Sequence, residues 1–196
     1  MAHRRNKEEC PTPSRSDAQS LLNRIWEIVG LWPRIMDPLL ERRLDDFIMR
    51  ATPEELFQVQ EVIFSEAIPF LISDDKVRAT MEAFDGRRIG LAIDGWYRTT
   101  VTLCDCRFHI ETGIRGDIPA FTARCRRDYA DAVLSRKDPI TMILKGRIKI
   151  SRMLTLIRWF LPHLGILRDR QLFDKFLGYQ QDVEEVLDAC LCELGY

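Results

Sequence analysis

From Asp37 to Phe84 apolar residues recur at helical spacing. Leu40, Leu44, Phe47 and Ile48 mark one helix from about Asp37 to Arg50; Leu56, Val59, Val62 and Ile63 mark the next. Thr52-Pro53-Glu54-Glu55 opens that second helix with a capping hydroxyl, a proline at the first position and acids at the positive end. Upstream, Ser16 or Asp17 can cap a helix carrying Leu21, Leu22, Ile25, Trp26 and Val29, and a short helix is expected over Asp74 to Phe84. At Asp85-Gly86 the period changes to two. Ile89, Leu91 and Ile93 alternate, Asp94-Gly95 turns the chain, and Tyr97, Thr99, Val101 and Leu103 alternate again. Cys104-Asp105-Cys106 reads as a hairpin tip that returns through Phe108 and Ile110. After a turn at Gly116-Asp117 comes a fourth strand, Ile118 to Cys125, then a helix from about Arg127 to Ser135. Asp138 caps a Pro139 helix that Gly146 can end, and a fifth strand alternates Ile148 and Ile150 with Arg147 and Lys149.

Four consecutive strands, two short helices and a returning strand predict an α+β fold. The expected architecture is a five-stranded, mostly antiparallel sheet covered by helices on one face, with an N-terminal helical extension and a C-terminal helix. The expected segments are a tail over 1–16, the helical extension over 17–84, the sheet domain over 85–170 and the C-terminal helix over 171–196.

Composition adds an asymmetry. The net charge of −1 conceals a stretch from Arg87 to Arg170 with seventeen Lys and Arg against eight Asp and Glu, leaving twelve and twenty-two for the remainder. Such a basic half can face an anionic membrane, an anionic ligand, nucleic acid or the chain's own acidic half. Met1 to Ser20 is polar, and no run of about 18 apolar residues could span a bilayer. The expected place is the cytoplasm, with the six cysteines reduced.

Reactive chemistry is sparse. Neither a carboxylate pair nor a serine-centred motif surrounds any of the three histidines. Cys104-x-Cys106 and Cys190-x-Cys192 are spaced more tightly than paired zinc ligands. Arg124, Arg126, Arg127, Lys145, Arg147 and Lys149 can form a basic patch, but without the interleaved aromatics that nucleic acid needs. The expectation is no enzyme, no cofactor, no metal and no nucleic acid; an anionic headgroup or membrane surface suits the patch better.

Three motifs in order carry a family resemblance: Asp128-Tyr129-Ala130-Asp131-Ala132-Val133-Leu134, then Asp138-Pro139, then Lys145-Gly146-Arg147-Ile148-Lys149-Ile150. Over about Gly86 to Phe160 the chain resembles the sterol carrier protein type 2 family of lipid-binding domains. Ser151-Arg152 departs from the family pattern, which continues with a Gly-Asp turn. N-terminal helices followed by this domain are similar in layout to bacterial accessory factors of ubiquinone biosynthesis. The resemblance implies non-enzymatic binding and presentation or transfer of an apolar lipid in an enclosed tunnel. The ligand would be sterol-like, fatty acyl or an isoprenoid-quinone precursor. Expected strand contributions to the tunnel are Val101, Leu103, Phe108, Ile110, Phe121, Ile148 and Ile150; the helices would add Met142, Ile143, Leu154, Ile157 and Phe160. Apolar side chains on a strand or helix face more often fill a closed core, and each of these could do so instead.

Arg152 to Leu161 sharpens the mechanism. Arg152, Thr155 and Arg158 mark a narrow polar stripe on an otherwise apolar helix too short to span a bilayer. Such a helix is either buried on most sides or a lid that touches lipid, with Arg152, Arg158 and Trp159 at the headgroups. The alternative from another class is a scaffold with no lipid cavity, whose apolar helices dock biosynthetic enzymes or a second copy. A continuous apolar cavity would favour lipid binding, and a filled core beside an exposed apolar patch would favour the scaffold.

Overall fold

A computed structural model describes residues 35–69, 74–163 and 170–196. The expected tail over 1–16 and the helix carrying Leu21 to Val29 lie outside them. Helix α1 (Pro38–Arg50) starts where the Asp37 carboxylate accepts the Leu39 N–H at 2.8 Å. Helix α2 (Pro53–Val62) starts with a reciprocal cap. Thr52 Oγ1 accepts from the Glu55 N–H at 3.2 Å, and the Glu55 carboxylate accepts from the Thr52 N–H at 2.7 Å. A π-helical turn over Ile63–Ala67 prolongs α2, and helix α3 (Asp75–Glu82) follows, capped by Asp74.

Strands β1 (Arg88–Ile93), β2 (Tyr97–Cys104), β3 (Arg107–Thr112), β4 (Ala120–Ala123) and β5 (Ile148–Ser151) form one sheet in the order β3-β2-β1-β4-β5. The β1–β4 pair is parallel and the other three pairs are antiparallel, so the α+β sheet is mixed but mostly antiparallel. At the β2–β3 tip, Asp105 and Cys106 both have positive φ, a primed turn whose twist suits a two-residue hairpin loop. The Asp85 carboxylate pins it by accepting the Asp105 N–H at 2.8 Å. Between β3 and β4 the chain crosses one sheet face, where Ile114 lies over Gly90. A Cβ on Gly90 would stand 2.9 Å from Ile114 Cδ1 and 2.8 Å from Ala120 Cβ. Glycine is therefore required there for close packing.

Helix α4 (Arg126–Val133) and helix α5 (Pro139–Leu144) fill the step from β4 to β5. Gly146, at φ +65°, ends α5 in a Schellman motif: its N–H donates to Ile143 O at 2.9 Å, and that of Arg147 to Met142 O at 2.8 Å. Helix α6 (Met153–Phe160) follows β5. The single C-terminal helix expected from sequence is two, α7 (Arg170–Gly178) and α8 (Gln180–Glu193). Gly178 weakens helix propagation at the break.

Strand register gathers Ile89, Leu91, Ile93, Tyr97, Thr99, Val101, Leu103, Phe108, Ile110, Phe121, Ala123, Ile148 and Ile150 on one face. Helices α1, α2, α4 and α8 close over one end of it. Leu40, Leu44, Phe47, Ile48, Leu56, Val59, Leu187 and Leu191 bury there against Ile93, Tyr97 and Ala123. The N-terminal helices thus share one core with the sheet. Inside it Tyr97 donates to Gln60 Oε1 at 3.0 Å, and Gln60 Nε2 donates to the Tyr129 oxygen at 2.8 Å. This chain satisfies the polar groups that α2, β2 and α4 bury. Burial pushes the Tyr97 hydroxyl above its ordinary range.

Much of the basic stretch faces the chain's own acids. Arg127 meets Asp45 at 2.7 Å, and Arg136 meets Glu41 at 2.7 Å and Asp45 at 2.9 Å, joining the α4 side to α1. Arg126 donates to Met49 O at 2.8 Å and stacks on the Trp96 ring at 3.6 Å. Arg124 and Arg147 converge on the buried Asp128 carboxylate at 3.1 and 3.6 Å. Lys145 and Lys149 stay exposed.

Candidate functional site

The other end of the same sheet face is not filled. A cavity of about 420 Å³ lies against it, floored by Ile89 and Leu91 of β1, Val101 and Leu103 of β2, Phe108 of β3 and Phe121 of β4. Phe64 from the π turn and Val77, Thr80 and Met81 from α3 cover it; Phe84, Arg87, Trp159, Phe160, His163 and Leu172 complete the wall. The Thr80 hydroxyl donates to Lys76 O at 3.0 Å within its own helix, so it adds little polarity. The space is thus apolar and of a size that suits a small ligand.

The covering elements explain the space. Helix α3 has eight residues, of which only Val77 is buried. Helix α6 buries only Leu156. Helix α3 lacks the dense apolar stripe of α1, and α6 turns most of its apolar side chains to solvent, so the floor is covered but not filled.

Aromatic rings cluster where α6 approaches the turn before β1. Phe84 lies 5.1 Å from Phe160 and 5.0 Å from His163, ring centre to ring centre. The Arg87 guanidinium stands 4.8 Å from the Phe84 ring centre and 5.0 Å from that of Trp159. Phe160 is part of the cavity wall and is also exposed, so this end borders solvent.

The chain enters α6 through Ser151 and Arg152. Ser151 Oγ accepts the Ala120 N–H at 2.9 Å, and Arg152 adopts a left-handed conformation at φ 51° with its guanidinium paired to Asp117. Beyond this turn Leu154 is 82% exposed, and Met153, Ile157, Phe160 and Leu161 lie between 39% and 58%. On a helical projection these five residues form a continuous arc of roughly 120°. Helix α6 therefore shows an apolar face to solvent while Leu156 and Trp159 turn inward.

Of the residues named from sequence, Val101, Leu103, Phe108, Phe121 and Phe160 line the cavity together, and Trp159 joins them. Ile110, Ile148 and Ile150 share the sheet face but are half-buried outside it. Met142 is fully buried and Ile143 half-buried, both off the cavity wall. Leu154 and Ile157 face solvent, as does Arg158, while Arg152 is held by Asp117. Ile89 and Leu91 were missed, although their alternation matches that of Val101 and Leu103. Phe84 stands at the end of the helix expected over Asp74 to Phe84 without having been singled out, while Arg87, in the turn before β1, and His163, in the 3-10 turn Leu161–His163, gave no periodic signal.

At the hairpin tip Asp85, Cys104 and Asp105 bring one potential ligand atom each within 4.8 Å of one another. The Asp105 charge pushes the Cys104 thiol upward, away from the thiolate that metals and nucleophilic chemistry use. Among the described residues, no helix is long and apolar enough to cross a membrane.

No protein-family model and no curated protein matches the chain. A solved structure described as "UbiJ-SCP2 Ubiquinone synthesis protein" is similar to it at 12% identity and a TM-score of 0.39, covering 54% of this chain and 92% of that one. A likeness at that level assigns neither family nor ligand. The cavity has to carry the functional reading.

Proposed function

We propose that the chain binds an apolar lipid in this cavity and presents or transfers it at a membrane surface without reacting with it. The observation that carries this reading is the apolar cavity of about 420 Å³ under the open end of the sheet. Each methylene taken from water contributes about 0.8 kcal/mol, so ten contribute roughly 8 kcal/mol before ordering costs. That is enough to keep such a chain out of water between membranes. Sterol-like, fatty acyl and isoprenoid-quinone ligands all meet this requirement. A carrier role is favoured over catalysis because, among the described residues, Arg87 and His163 are the ionisable side chains on the wall and no carboxylate lines it.

The exposed arc of α6 supports the membrane part. Its apolar side chains adjoin the solvent-bordering end of the cavity, and Arg158 flanks them. An amphipathic helix of this kind lies in a headgroup layer. The same arc favours a second reading, a scaffold docking a protein through α6. A titration with Nile red, a neutral apolar dye, tests the first reading. The wild type is expected to bind it saturably, one per chain. Val101→Phe, which puts a ring into the cavity, is expected to bind at least about tenfold more weakly, the loss of roughly two buried methylenes. Equal binding by both proteins, or none by the wild type, would overturn lipid binding in the cavity.

A further inference from the structure

One wall residue does not match an apolar ligand. Arg87 brings a guanidinium to the cavity, yet its Nη1 is shielded from solvent with no hydrogen-bond acceptor among the described residues. No carboxylate lines the cavity among those residues. The Phe84 and Trp159 rings, 4.8 and 5.0 Å away, face the cation with their π clouds. Ring faces stabilise its charge but cannot fully replace an acceptor for a buried N–H.

We propose that the ligand is an amphiphile whose carboxylate head is read by Arg87 at this end, with its hydrocarbon chain along the sheet floor. This inference rests on the lipid-binding reading above and names the ligand class. The chemistry is directional. A carboxylate would supply both the missing acceptor and the missing counter-charge, and its planar oxygens match a guanidinium fork. A phosphate carries up to two charges and three strong acceptor oxygens, more than one guanidinium on an apolar wall answers. A hydrocarbon or sterol ring would leave Nη1 unsatisfied and the cation unpaired. The position also fits. Phe84, Trp159, Phe160 and His163 surround Arg87 at the end that borders solvent, so the head would be the last part to enter. His163 stands on the same wall, where an imidazole N–H would be a further donor for the head.

The test displaces Nile red from the full chain with palmitate and, separately, with 1-hexadecanol, which has the same chain length and a neutral head. Wild type is expected to prefer palmitate by about tenfold or more, the effect of a hydrogen bond to a charged group. Arg87→Met keeps the apolar stem and is expected to lose that preference, read as the ratio of palmitate to hexadecanol displacement at the variant's own dye affinity. Arg87→Lys keeps the charge and is expected to restore part of it. Nile red binding with equal displacement by the acid and the alcohol from wild type would overturn the carboxylate proposal and leave the apolar cavity standing. Unchanged palmitate preference in Arg87→Met would likewise overturn it. Failure of wild type to bind Nile red, palmitate and hexadecanol alike would overturn both.

Discussion

The two ends of one sheet face have been built from the same strands with opposite results. At one end Ile93, Tyr97 and Ala123 lie under α1, α2, α4 and α8 in a filled core. At the other Ile89, Leu91, Val101, Leu103, Phe108 and Phe121 lie under α3 and α6 beside a cavity. The strands alternate alike at both ends, so the strands do not decide. The covering helices do. Leu40, Leu44, Phe47 and Ile48 give α1 a full apolar stripe, whereas α3 and α6 each bury one residue. A binding space arises where a helix covers a sheet without filling the gap.

That contrast is most sharply broken by truncation. Phe47→Ala removes a ring with no solvent exposure from the closed end and should cost about 3–5 kcal/mol in urea unfolding. Phe108→Ala at the open end should cost markedly less, because the ring already borders free space. Equal costs would mean that the two ends are packed alike. Next in size, Val101→Phe should leave the unfolding midpoint within about 1 kcal/mol of wild type while abolishing most dye binding, since a ring added to existing space need not strain the core.

Acid should act on the closed end. Hydrogen bonds and charges from Arg127 and Arg136 outweigh the opposing effect of burial and hold the Asp45 carboxyl below its ordinary value. Its contribution is complete above the unfolded carboxyl's value of about 3.9 and is lost as pH falls through the lowered folded value. Urea midpoints measured between about pH 6 and pH 2 should therefore fall less steeply for Asp45→Asn than for wild type. A parallel fall would show that the α1–α4 ion pairs contribute no such dependence. The smallest effect on stability is expected on α6. Leu154→Glu with Ile157→Glu should shift unfolding by no more than about 0.5 kcal/mol per site, since both side chains are exposed. Co-sedimentation with vesicles of phosphatidylcholine and phosphatidylserine should nevertheless drop severalfold. Unchanged sedimentation would remove α6 from the membrane contact.

The α+β layout was legible because it rests on local signals. Thr52-Pro53-Glu54-Glu55 caps α2, Asp138-Pro139 starts α5 and Gly146 stops it, each through contacts within a few residues. The parallel β1–β4 pairing was not legible, since it depends on the chain crossing the sheet over Gly90. For the site, alternation exposed the floor at Val101, Leu103, Phe108 and Phe121. It could not separate floor from core, because Ile93 and Leu91 read alike on the strand and only tertiary packing distinguishes them. Arg87 was invisible for another reason: an arginine before a strand is ordinary until two rings and a cavity close around it.

The most direct test is organic-solvent extraction of wild type and Val101→Phe, purified in parallel from the native host, with mass spectrometry of both extracts. About one apolar or amphiphilic molecule per chain from wild type, and little from the filled variant, is the predicted result. The same yield from both proteins, or no lipid from either, would contradict a ligand held in this cavity.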